Sequence, residues 1–424
     1  MTRRVAISAV VEVNPGMPAS IRDGDGDRLV PFLPMSAVSE AGYASYGERR
    51  ALRELLKGYT YFERGDVLIA KITPCLENGK AASLDDLPDA LGFGSTEFHV
   101  LRPGPDVDAR YLFHAVWNNA FRKAAVSSFT GSAGQKRLPA SFFDRYKVPL
   151  PPLVAQRRIA AMLDKADAVR RKRRESLRLL DEFLRSAFLE MFGDPVRNEK
   201  GREVVRLEAI ADIVSGVTKG RKLRNYPVQD VPYLRVANVQ DGSLDLGEMK
   251  TIPVTRDEIA QYRLEAGDIL LTEGGDPDKL GRGAIWRDEI RDCIHQNHVF
   301  RVRLRDAGIL AEYVSALVGS AYGKRYFLKA AKQTTGIASI NRTQLGSFPV
   351  LKAPRELQER YAAAVTGLRI LRGHFAAAST GTDHLFECLA TLAFAPDPSR
   401  PCAGLVVGEG RRACVMLDGR DVGN

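Results

Sequence analysis

Cysteine is scarce in this chain. None of its five cysteines (Cys75, Cys293, Cys388, Cys402, Cys414) stands in a Cys-x-x-Cys pair. An odd count without such pairs excludes a disulfide framework and a zinc ribbon, and fits a reducing, cytoplasmic setting. Long apolar runs are also missing, so no segment is expected to span a bilayer. The start, Met1-Thr2-Arg3-Arg4-Val5-Ala6-Ile7, is charged with no long apolar core after it, which predicts no secretory signal. Catalytic signatures are absent as well. Gly79-Lys80 is followed by Ala81, not by the hydroxyl residue of a nucleotide-phosphate loop, and there is neither His-Glu-x-x-His nor Gly-x-Ser-x-Gly. Leu150-Pro151-Pro152-Leu153 lacks the polar head and the aromatic of an Asn-Pro-Pro-Tyr motif, which would hold an amine and stack on its base. Pro105-Asp106 and Pro277-Asp278 lack the acidic-x-Lys that a metal-dependent nuclease needs to hold a cation and a water. His295 and His298 are the only close histidine pair and read as structural, so no metal site is expected.

What is present is an ordinary soluble composition in a long, basic chain. The 424 residues suffice for two or three domains. Hydrophobic residues make up 45% and charged residues 27%, and the formal net charge is +10. A positive balance favours a polyanionic partner, nucleic acid first.

The chain also repeats itself at an offset of 202 residues. Gly65-Asp66 returns as Gly267-Asp268, Leu68 as Leu270, Gly79 as Gly281, Phe98 as Phe300 and Tyr111 as Tyr313. Pro152, Gln156 and Arg158 return as Pro354, Gln358 and Arg360, and Phe192 as Phe394. Such a period suits a domain plus an arm rather than a solenoid unit. The boundaries follow as 1–152 for a first mixed domain, 153–195 for a helical arm, 196–353 for a second domain and 354–395 for a second arm. After Pro396 periodicity is lost, and 396–424 reads as a poorly ordered tail.

Each domain reads as strands followed by helix. Asp66–Ile72, Phe98–Leu101, Val231–Val236 and Asp268–Leu271 have the pattern of buried strands, and Tyr111–Ala125 and Ala311–Ala331 have helical spacing. Val148-Pro149-Leu150-Pro151-Pro152 makes a stiff, non-helical junction. No Pro or Gly occurs between Leu153 and Phe192, so the first arm is a rod of roughly 60 Å. Ile159, Met162, Leu163, Ala166 and Val169 form an apolar stripe that resumes at Leu177, Leu180, Leu184, Phe188 and Met191. The second arm is weaker, because Gly367, Gly373 and Gly381 each cost about 1 kcal/mol inside a helix. Pairing the arms antiparallel would bury both stripes and relate the domains by a pseudo-twofold; packing each arm on its own domain is the alternative.

Three features suit DNA. The run Arg170-Arg171-Lys172-Arg173-Arg174 covers every face of a helix, and reads either as a solvated face or as a phosphate or partner contact. A Gly-bearing loop follows the helix of each copy, with Ser132, Gln135, Lys136 and Arg137 in one and, shifted by three residues, Thr335, Ser339, Asn341 and Arg342 in the other. Amides can read adenine and basic side chains guanine, although ordinary surface loops have the same composition. The turn after each Gly-Asp strand keeps its frame but changes its polar contents. Lys71, Thr73, Asn78 and Lys80 stand in one copy, and the other begins at Glu273 and offers Lys279 and Arg282.

The junction Val148–Leu153 with Gln156-Arg157-Arg158-Ile159, and the arm through Phe188-Leu189-Glu190-Met191-Phe192-Gly193-Asp194-Pro195, resemble the specificity subunit of type I restriction–modification enzymes. Phe32-Leu33-Pro34-Met35, Gly65–Leu68, Lys71–Pro74, Glu77–Lys80, Gly94–Phe98 and Gly131–Arg137 are similar to that family's first recognition domain. The likeness covers about residues 8–395 and is looser in the second half. It implies an α+β protein with two mixed target recognition domains separated by two long antiparallel helices. It further implies a non-catalytic subunit whose domains each read half of a split site in double-stranded DNA. The helices would dock two methyltransferase subunits, and restriction/translocase subunits would join for cleavage. S-adenosylmethionine, Mg2+ and ATP would sit on those partners. A stand-alone methyltransferase or nuclease component, and a coiled-coil scaffold without DNA binding, are the alternatives.

Overall fold

A computed structural model describes residues 3–131, 135–221, 227–275, 280–334 and 337–394. The expected tail, 396–424, lies outside the described residues, as do Ser132, Lys279 and Thr335. The chain divides into two compact units, one holding the residues up to Arg173 and those from Ala378 on, the other Arg174–Ala377. Each unit therefore takes part of both arms. Among the described residues no helix is long and apolar enough to cross a membrane.

The units repeat one topology. In the first, Val11–Val13, Phe98–Pro103, Val67–Ala70 and Ala81–Ser83 form an antiparallel sheet in that order. In the second, Ala211–Ser215, Val299–Leu304, Ile269–Thr272 and Gly283–Ile285 form the same sheet in the same order. A parallel pair recurs too, Phe32 opposite Phe93 and Tyr233 opposite Ile294. The strand before each long helix, Lys147–Pro149 or Pro349–Leu351, pairs antiparallel with the strand that opens its half, Arg4–Ala6 or Val204–Arg206.

The repeated residues turn out to be those that clamp this frame. Asp66 is buried and receives a two-pronged ion pair from Arg102 at 2.9 Å; Asp268 receives the same from Arg303 at 2.7 Å. Tyr111 Oη donates to Pro149 O, and Tyr313 Oη to Leu351 O, both at 2.7 Å. Gln156, at the start of the first arm and fully buried, accepts from Asp108 N and donates to Asp106 O and Pro151 O. Gln358 does the same with Leu310 N, Gly308 O and Ala353 O. Gly79 and Gly281 both turn with positive φ, +86° and +73°. A Cβ at Gly281 would lie 2.8 Å from the Phe327 ring.

Some details depart from the sequence reading. The helical stretch after the sheet is two helices in each unit, Ala109–Trp117 with Asn119–Ser127, and Ala311–Gly319 with Ala321–Ala330. The break falls at Asn118 and Ser320, whose side chains cap the second helix by accepting from Phe121 N and Gly323 N. The equivalence of Phe98 with Phe300 is off by one. The ladders set Phe98 opposite Ala70 and Val299 opposite Thr272, so Val299 is the counterpart of Phe98.

Both arms are unbroken forty-residue helices, Leu153–Phe192 and Arg355–Phe394. Gly367, Gly373 and Gly381 lie inside the second and do not interrupt it; a Cβ on any of them would meet open space. In the first unit, Ile159 and Leu163 share a core with Phe386, Ala390 and Phe394, while Arg170 Nε donates to Asp383 Oδ1 at 2.8 Å and Arg173 reaches Thr382 at 2.9 Å. Numbers rise along one helix as they fall along the other, so the helices run antiparallel there. In the second unit, Phe188, Met191 and Phe192 pack with Leu357, Tyr361 and Val365, and Arg372 pairs with Asp181 at 2.9 Å, again antiparallel.

Each arm thus ends in the unit to which the other domain belongs. Phe192 lies 4.7 Å from the Tyr313 ring, and Phe394 lies 5.2 Å from the Tyr111 ring. Burying each phenylalanine contributes roughly 2–3 kcal/mol. Met162, Leu177, Leu180 and Leu184 are half-buried along the stripe. Val169 does not belong to it, being 42% exposed. The seam instead follows alternating steps of three and four through Leu163, Ala166, Arg170, Arg173 and Leu177. Two residues of the basic run therefore serve helix packing: the Arg170 guanidinium sits 4.2 Å above the Phe386 ring.

Two consequences are measurable. Gln156→Ala or Gln358→Ala strands three backbone groups and should cost about 2–4 kcal/mol in urea unfolding, similarly at both sites. A loss below about 1 kcal/mol would show that the clamp is dispensable. The second concerns His295, whose Nδ1 donates to Val299 O at 2.7 Å and which burial pushes down to about 4. The folded state holds this imidazole neutral, so its contribution is complete above the ordinary value near 6.5 and is lost as pH falls toward 4. The wild type should lose about 2 kcal/mol more than His295→Gln between pH 6.5 and 5. Parallel pH profiles for the two proteins would refute the assignment.

Candidate nucleic-acid interface

In each unit the turn after the central strand and the loop after the helices are drawn together by backbone pairing. In the first, Thr73 N donates to Lys136 O at 3.1 Å, and Leu138 N to Lys71 O at 2.8 Å. Ile72 and Thr130 both bridge to Arg137. In the second, Gly274 and Gly275 pair with Ser339 and Ala338, and Ile340 N donates to Glu273 O at 2.8 Å. The two loops singled out in each half of the sequence therefore form one tip in each unit.

These contacts also correct the loop alignment. Leu138 and Ile340 make the same hydrogen bond, so the loops correspond without the shift of three residues. Arg137 is the counterpart of Ser339. Asn341 and Arg342 lie beyond the tip, at the start of the helix Arg342–Gly346. Asn341 caps that helix: its side chain accepts from Gln344 N and its N–H donates to Gln344 Oε1, each at 2.8 Å.

Several candidate side chains are committed to holding the tips. Arg137 forks onto Glu97, with Nε to Oε2 at 3.0 Å and Nη2 to Oε1 at 2.7 Å, and so holds the Glu97 carboxyl below its usual range. Lys80 Nζ donates to Met35 O at 3.0 Å, and Asn78 Nδ2 to Glu40 Oε1 at 2.9 Å. In the second unit the backbone oxygen of Arg282 accepts from Thr272 N at 3.1 Å, and Arg282 Nε is buried. Gln135 and Lys136 are exposed, and among the described residues their side chains make no hydrogen bond or ion pair. Lys71, Thr73 and Ser339 are half-exposed, and Arg342 is exposed.

Sequence reasoning missed one tip pair. The His298 Nδ1–H donates to Glu273 Oε2 at 2.5 Å, and Asn297 Nδ2 lies 3.4 Å from His298 Nε2. The signal is present in the sequence, since Glu273 stands at the repeat position of Lys71, but an acidic residue runs against the search for basic and amide side chains. His295 and His298 serve separate ends, core and tip. Among the described residues no cluster of three or more His, Cys, Asp or Glu side chains could hold a metal ion. The arrangement offers hydrogen-bond donors and acceptors on two rigidly backed tips.

Comparison with known proteins bears on what such tips serve. Residues 53–178 match the family described as type I restriction modification DNA specificity domain. The type I restriction enzyme EcoAI specificity subunit of Escherichia coli is 41% identical over 155 residues, 36% of this chain and 26% of that one. The EcoEI specificity subunit from the same species is 36% identical over 163 residues, 38% of this chain and 27% of that one. The matched stretches span about a quarter of the length of these two curated relatives. The crystal structure of the type I restriction-modification system S subunit from M. genitalium superposes with a TM-score of 0.53 at 13% identity, covering 94% of this chain and 96% of that one. At that identity the likeness shows a shared fold. Residues 53–178 thus match a type I restriction modification DNA specificity domain, and over that part the chain is similar to the specificity subunits of type I restriction enzymes.

Proposed function

We propose that this chain is the non-catalytic DNA sequence-specificity subunit of a type I restriction–modification complex, working in the cytoplasm. Residues 1–152 and 196–353 act as recognition domains, each reading one half of a bipartite site in double-stranded DNA. Residues 153–195 and 354–395 act as arms that dock two methyltransferase subunits, with restriction/translocase subunits joining them. S-adenosylmethionine, Mg2+ and ATP are then the business of those partners. The observation that carries this reading is the pair of tips, built on one backbone frame and filled with different polar groups. Two readers of one design with unlike contents suit two unlike half-sites.

Exchanging residues 1–152 for the equivalent domain of a relative should change one half of the methylated motif and leave the other intact. Modified-base sequencing of a host that carries the partner subunits reads this directly. A change in both halves, or in neither, would defeat independent reading.

The arms supply a second test, of their role as a ruler. Four residues added after Arg174 and four after Ala377 lengthen both helices by roughly 6 Å and keep their antiparallel partners. The half-sites should keep their sequences while the spacer grows by one or two base pairs, each about 3.4 Å of rise. An unchanged spacer in a variant that still directs methylation rules the ruler out.

A further inference from the structure

The two tips carry opposite charge at one equivalent position. Lys71 N donates to Glu97 O at 2.8 Å, and Glu273 N donates to His298 O at 3.0 Å. The carbonyls of Lys71 and Glu273 accept from Leu138 and Ile340, both at 2.8 Å. Backbone geometry thus equates Lys71 with Glu273 and Glu97 with His298. Each tip pairs one acidic residue with one basic residue, and the order is reversed. In the first, Arg137 forks onto Glu97 and, with a smaller contribution from the charge of Lys71, holds its carboxyl low, so the acid is engaged by the arginine and the lysine is left as the donor. In the second, the acid is the half-exposed residue. The His298 Nδ1–H fixes one oxygen of Glu273, and among the described residues the other oxygen, Oε1, has no hydrogen-bond partner.

A carboxylate at the tip of a basic chain is repelled by phosphates. It is tolerated against DNA where a base amino group faces it. Of the two amino donors in the major groove, cytosine N4 is the one a Glu accepts from, because adenine N6 stands beside the N7 acceptor, which repels a carboxylate; guanine O6 and N7 are the acceptors that a Lys serves. Resting on the DNA-reading role proposed above, we infer that position 71/273 is specificity-determining in each recognition domain. Glu273, oriented by His298, accepts from a cytosine amino group in one half-site, and Lys71 donates to a guanine edge in the other. The reversed charge is the reason the two half-sites differ there.

The test uses the complex reconstituted with its methyltransferase subunits and a panel of duplexes, each changed at one base pair of the wild-type methylated motif. Glu273→Gln keeps an oxygen for the His298 N–H, so the tip retains its internal bond. It should weaken discrimination about 10- to 100-fold at a single base pair of one half-site and leave every other ratio unchanged. Lys71→Glu should do the same at a single pair of the other half-site. Either variant overturns the assignment if it slows methylation equally on every duplex, which marks a phosphate contact or a scaffold role. So does a variant with every ratio at the wild-type value. Where a variant methylates too slowly to rank, binding of the same panel by the complex gives the ratios, judged alike. A wild-type complex that shows no preference across the panel would instead defeat the DNA-reading role itself.

Discussion

A forty-residue helix with an apolar stripe cannot stand alone in water, and the rest of this molecule is arranged around that constraint. A rod of roughly 60 Å outruns a domain of ordinary radius, so its own domain cannot cover the stripe. A second rod of equal length, run the other way, can. The duplicated half of the chain supplies that rod. Each helix is then fixed at its start by a buried glutamine and at its end by a phenylalanine on a tyrosine. The stripe is not purely apolar. Arg170 occupies a seam position, with its head on Asp383 and its plane on Phe386, and such a polar seam residue sets register at some expense of burial.

The tips divide their labour in a way that follows from hydrogen-bond geometry. Backbone pairing does the folding, so it is kept in both units. Side chains such as Lys80, Asn78, Arg137 and Asn341 are drawn into that scaffold, each by a definite partner. This leaves a small set of side chains, Lys71, Gln135, Lys136 and Glu273 among them, to vary without disturbing the frame. A surface built this way can change what it binds at little cost in stability.

Much of this was legible in the amino-acid order because the repeat reports on structure twice. Asp66 and Asp268, Tyr111 and Tyr313, and Gln156 and Gln358 recur because each closes the same buried hydrogen bonds. The long helices were legible because nothing between Leu153 and Phe192 could break the first. What stayed hidden depended on register and on three-dimensional partners. Phe98 and Phe300 look equivalent by letter, yet the ladder slips by one residue between them. Asn341 looks like a base reader until Gln344 is seen to cap against it. Arg170 and Arg173 are indistinguishable from their exposed neighbours until the heptad phase is known. Glu273 was passed over because its sign contradicts the net charge of the chain, which says nothing about one position.

The order in which the chain is made has a further bearing on its first unit. Tyr111, His114 and Trp117 are covered by Phe386 and Phe394, which are made only after the whole second unit. At ordinary synthesis rates the stretch from Arg173 to Phe394 takes on the order of ten to forty seconds. Throughout that time the nascent first domain carries an uncovered aromatic face beside half of an unpaired helix. Such a surface is what holding chaperones and neighbouring nascent chains bind, so the yield of this protein in a cell depends on translation speed as well as on final stability.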